Sequence, residues 1–128
     1  MTRRFSILLV AVALLGAGMA SAQQGQFSKQ QTAGLRIALH KGGAFLLGKQ
    51  LDDGSWYQHP AITSLVCMAL IDSPDYADAE VKKAVARALD FVVRFAKPDG
   101  SIWTEGNQQY PNYCTSVSLI ALAAADRT

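Results

Sequence analysis

The chain has 128 residues, half of them hydrophobic, and a net charge of +2 at pH 7. Arg3 and Arg4 account for that excess, so residues 23–128 are neutral overall and lack the basic bias that a nucleic-acid partner requires. Their number suffices for one small domain with a modest core.

The first 22 residues read as a secretory signal peptide. Arg3 and Arg4 form a basic start, residues 5–19 are mostly apolar, and Ala20-Ser21-Ala22 offers a small-x-small site for cleavage after Ala22. The apolar run, about 15 residues, is shorter than the roughly 20 that a spanning helix needs. No membrane span is therefore expected once it is removed, and the product is expected to be exported, periplasmic or secreted. Thr2-Arg3-Arg4-Phe5 leaves the general secretory and twin-arginine routes both open.

Residues 23–31 are polar and Gln-rich, a lead-in that is expected to fray. A first helix is expected over residues 28–49, with Leu35, Leu39, Phe45 and Leu46 on its apolar side. Gly34, Gly42, Gly43 and Gly48 weaken it by about 1 kcal/mol each, which suggests close approach to a partner helix. Asp53-Gly54 marks a turn. A second helix starts at Pro60, a residue tolerated in a first turn, and runs to Ile71. It is apolar nearly all round, so burial on most sides is expected. Residues 72–78, with Ser73-Pro74 and three acids, turn into an amphipathic third helix over 79–96. Its stripe is Val81, Val85, Leu89, Val92 and Val93, and Pro98 stops it. Asp99-Gly100 marks the next turn, and a connection over 104–112 leads to a nearly all-apolar fourth helix over 111–125.

These elements repeat. Lys41 pairs with Arg87 46 residues on, Phe45 with Phe91, Leu46 with Val92, and Asp53-Gly54 with Asp99-Gly100. Trp56 pairs with Trp103 one residue out of step, and Thr63-Ser64 aligns with Thr115-Ser116. A period in this range is the signature of a repeat architecture.

The first copy resembles the QW motif of the squalene-hopene cyclase and protein-prenyltransferase β-subunit superfamily. Lys41, Gly42, Phe45, Leu46, Gln50, Gly54 and Trp56 fill its slots. In the second copy Ala88 and Ala96 stand where the motif has Gly and Gln. The resemblance covers roughly residues 30–128. It implies an all-α fold of helical hairpins stacked as in an α/α toroid, here an incomplete (α/α)6 barrel of two repeats over residues 23–128. The amphipathic helices would form its outer layer, the apolar ones its inner layer, and the Gln and Trp would tie one hairpin to the next.

Chemistry is thinner. Class II cyclases protonate their substrate from an Asp-x-Asp-Asp run, which is absent here; Asp53 and Asp99 are accounted for by their turns. Prenyltransferase β-subunits hold zinc with an Asp, a Cys two residues later and a distant His. Asn112-Tyr113-Cys114 offers one such ligand, and both histidines, His40 and His59, lie upstream, so no metal or other cofactor is expected. Tyr57, Trp103, Tyr110 and Tyr113 either line an apolar cavity for an isoprenoid or pack between hairpins. Cys67 and Cys114 fall about 140° apart in the helical register, so two separate buried thiols are expected rather than a disulfide. The function this supports is a non-catalytic module that binds an isoprenoid-like ligand, a protein partner or itself. The alternative is a piece of a terpene cyclase or prenyltransferase whose catalytic residues lie outside this chain.

Overall fold

A computed structural model describes residues 27–105 and 110–128. The segment read as a signal peptide lies outside them. Residues Thr32–Thr128 form one compact unit. The fold is all-α: α1 (Lys29–Leu47), α2 (Pro60–Ile71), a 3-10 turn (Pro74–Ala77), α3 (Ala79–Val93) and α4 (Pro111–Asp126). Among the described residues there is no strand, only an isolated antiparallel bridge between Ala96 and Ile102.

Local chemistry sets the boundaries. The Ser28 hydroxyl accepts from the Gln31 N–H at 3.2 Å, and the Gln31 amide oxygen accepts from the Ser28 N–H at 2.8 Å. This reciprocal capping box starts α1. At α2, Pro60 occupies the first turn and His59 caps it, its Nδ1 accepting from the Ala61 N–H at 3.2 Å. The Ser73 hydroxyl accepts from the Asp75 N–H and opens the 3-10 turn.

Helix α3 ends three residues before the expected 96. Phe95 and Ala96 donate to Val92 and Val93 in tighter i→i+3 bonds, and the Lys97 N–H goes to the Ser101 carbonyl at 2.8 Å. Pro98 explains this, because it disfavours helical backbone in the residue before it.

The core lies around α2, which packs on both α3 and α4. Cys67, Leu70 and Ile71 of α2 meet Val81, Val85 and Ala88 of α3, Ala121 and Ala124 of α4, and Trp56. Burying each Val- or Leu-sized side chain contributes about 1.5–3 kcal/mol. A smaller cluster joins Phe91 and Val92 to Ile102.

Helix α1 departs from expectation. It has no buried residue, and Leu35, Leu39 and Phe45 are all exposed. It is held at its C-terminal end, where Leu46 and Leu47 pack on the core, and by a His40–Asp75 contact of 2.9 Å. A Cβ at Gly34 or Gly42 would meet nothing within 4 Å, so these glycines do not mark a close helix contact among the described residues. Helix α2 is buried on most sides, as expected, with only Ile62, Leu65 and Ala69 exposed, whereas α4 is more open, with Leu119 and Ile120 facing outward.

Candidate functional site

Turn geometry shows the repeat more clearly than residue identity does. Asp53 Oδ1 accepts from the Ser55 N–H at 2.9 Å and its hydroxyl at 2.6 Å. Asp99 Oδ1 accepts from the Ser101 N–H at 3.0 Å and its hydroxyl at 2.7 Å. These bonds hold both carboxyls below the usual carboxylate range. Both acids are thus engaged in shaping turns. Gly54 and Gly100 sit at φ +90° and +86°, a region that favours glycine.

The position after each turn corrects one pairing. The Thr63 hydroxyl accepts from the Trp56 N–H at 3.1 Å and donates to the Trp56 carbonyl at 3.3 Å. The Thr115 hydroxyl likewise accepts from the Ile102 N–H at 3.0 Å, while its own proton goes to the Pro111 carbonyl at 2.8 Å. Ile102, not Trp103, is therefore the structural counterpart of Trp56, so the 46-residue spacing holds through the turn and widens to 52 by Thr63 and Thr115. Trp103 takes the place of Tyr57. Its Nε1 donates to Ser101 Oγ at 3.0 Å, and the Lys97 ammonium lies 4.4 Å over its ring.

The first turn is also the joint to α3. Gln50 Nε2 donates to the carbonyls of Gly54 at 3.0 Å and Ala84 at 2.8 Å, linking the turn to α3. Trp56 is buried and its Nε1 donates to the Leu46 carbonyl at 2.8 Å. Arg87 donates to the carbonyls of Leu51 at 3.1 Å and Asp52 at 2.9 Å. Gly54 lies so close to α3 that an added Cβ would stand 2.5 Å from the Arg87 carbonyl oxygen. Lys41, Gly42 and Phe45 take no part in the joint and lie on the exposed side of α1.

The remaining candidates do not converge. Tyr57, Tyr110 and Tyr113 are exposed. Cys67 and Cys114 are free buried thiols, and burial pushes Cys67 up to about 12 and Cys114 upward. Among the described residues no three His, Cys, Asp or Glu side chains gather where they could hold a metal. What is concentrated instead is apolar surface. A cleft of about 280 Å³ is lined by Leu35, Leu39, Leu46 and Ala69, and Ile62, Leu65, Tyr113, Leu119 and Ile120 lie exposed on α2 and α4. The described residues include no helix long and apolar enough to cross a membrane.

Apolar periodicity placed these side chains on helices but could not say which face lacked a partner.

These features define a class: an all-α protein in which α2 packs on both α3 and α4 and two Asp-Gly turns share one geometry. Compared with protein-family models, curated proteins and solved structures, the chain matches none.

Proposed function

We propose that the chain is a non-catalytic helical-repeat binding module of the prenyltransferase and squalene-cyclase repeat kind, exported by its N-terminal segment. It works through apolar helix faces, which take an isoprenoid-like chain or an apolar protein surface. The observation that carries this is the exposure of Ile62, Leu65, Leu119 and Ile120, about half accessible each, on the two helices that otherwise build the core. Apolar side chains exposed in groups on helices that otherwise build the core mark binding faces on soluble proteins. The two best-placed acids support it too, since Asp53 and Asp99 are committed to their turns. The QW-like residues then serve architecture: Gln50 and Trp56 set the angle at which the faces are presented.

The test is binding of an anilinonaphthalene sulfonate dye to the folded chain, diluted until it is monomeric, with farnesol as competitor. Saturable dye emission that farnesol displaces, and that Leu65→Glu or Leu119→Glu reduces, is the expected result. A cooperatively folded monomer that does not enhance the dye would contradict the proposal.

A further inference from the structure

The two ends of the hairpin stack are the same interface cut in half. Between α2 and α4 the register is 52 residues, as Thr63 and Thr115 show, each accepting from the backbone N–H two residues after the turn glycine. Cys114, Val117 and Ala121 of α4 are buried, whereas their counterparts on α2, Ile62, Leu65 and Ala69, are exposed. The reverse also holds. Ser64, Cys67 and Ile71 of α2 are buried, and their counterparts on α4, Ser116, Leu119 and Ala123, are exposed. Between α1 and α3 the register is 46 residues. Val81 and Val85 are buried against α2, while Leu35 and Leu39 are open.

The turns follow the same rule. Arg87 donates to the carbonyls of Leu51 and Asp52; its counterpart is Lys41, and the counterparts of those carbonyls are on Lys97 and Pro98. The backbone that closes over Gly54 has no equivalent at Gly100, where a Cβ would meet nothing within 4 Å.

We infer that the chain docks head to tail on a second copy of itself. In this contact α1 and α2 of one copy pack on α4 and the 97–100 turn of the next, as α3 and α4 pack on α2 and the 51–54 turn within one chain. The occupant follows from continuity with the internal joint, whose buried half already matches the open half position by position. Lys41 then reaches the carbonyls of Lys97 and Pro98. One tie is missing: Ala96 stands where Gln50 would donate, so this joint is weaker than the internal one. A contact of this polarity is heterologous and repeats until it closes a ring or extends as a chain. The inference rests on the binding-module function, and adds the partner.

The test uses the chain as recovered from the expressing cell, in sedimentation velocity over a range of concentrations, with two variants at exposed positions. Leu65→Glu blocks the front face and Leu119→Glu the back. The wild type is expected to form species beyond the monomer as concentration rises, while each variant alone stays monomeric with unchanged helical circular dichroism. Mixed together, the variants are expected to form a one-to-one dimer and nothing larger, because each retains one competent face. Ala96→Gln is expected to tighten wild-type association about fivefold, the value of one net hydrogen bond. A mixture that stays monomeric overturns the inference, as does a single variant that associates like the wild type. A wild type that is monomeric throughout also overturns it, and points to an apolar ligand as the cover. In that last case dye binding by the monomer still stands or falls separately.

Discussion

Replacing Gly54 and Gly100 by alanine, one at a time, separates packing from backbone strain. Both glycines adopt nearly the same conformation, φ +90° and +86°, so each variant suffers a similar strain of about 1–2 kcal/mol. At Gly100 that is all, since the new methyl meets open space. At Gly54 the methyl would lie 2.5 Å from the Arg87 carbonyl oxygen and 2.9 Å from its carbonyl carbon. These are backbone atoms of a packed helix, so the joint must open by a substantial fraction of an ångström. Overpacking of this kind adds about 1–3 kcal/mol, and the shift also lengthens the bonds of Gln50 to Ala84 and of Arg87 to Leu51 and Asp52. Gly54→Ala is therefore expected to lose about 3–4 kcal/mol and Gly100→Ala about 1–2. The gap of about 2 kcal/mol corresponds to roughly 8–16 °C in melting temperature for a domain this small. Thermal unfolding followed by helical circular dichroism, at concentrations where the chain is monomeric, reads it directly. Equal losses for the two variants would refute the close approach of the first turn to α3.

Trp56→Ala is expected to cost about 3–5 kcal/mol, because the ring is buried and its N–H satisfies the Leu46 carbonyl; an unchanged urea midpoint would contradict that tie. Asp53 and Asp99 have lowered folded-state pKa values, so the stability they confer is present above the unfolded carboxylate value of about 4 and is lost as pH falls through their folded values. Acid titration should show Asp53→Asn and Asp99→Asn losing stability at neutral pH while flattening the drop below pH 4; an unaltered acid limb would count against the turn assignment. Cys67 and Cys114 are buried, free and hard to ionise, so a disulfide-exchange reagent at pH 8 should label both thiols only in denaturant, and fast labelling of the native chain would show that the α2–α4 seam is loose.

The helices were legible in the sequence because their boundaries are local. Pro60, Pro111 and the two Asp-Gly pairs act through neighbouring backbone, and α2 runs over the expected residues. The ends of α1 and α3 shifted where a tighter turn competed with the helix, as at Phe95 and Ala96. Trp103 was mismatched because aromatic identity suggested a slipped alignment, whereas hydrogen bonding to Thr115 belongs to Ile102. The openness of α1 was not legible at all. Leu35 and Leu39 form as apolar a stripe as Val81 and Val85, and only the presence or absence of a facing helix distinguishes them.

Hydrogen exchange at two concentrations tests most directly the claim that this is a stack of hairpins with open, binding-competent faces. In dilute solution the amides of α2 and α3 should exchange slowest, and those of residues 32–44 in α1 should exchange nearly as fast as frayed backbone. In concentrated solution residues 32–44, residues 97–100 and α4 should gain protection together, while the amides facing the α2–α3 core change little. Dilute-solution protection of α1 equal to that of α3, or protection that ignores concentration, would contradict it.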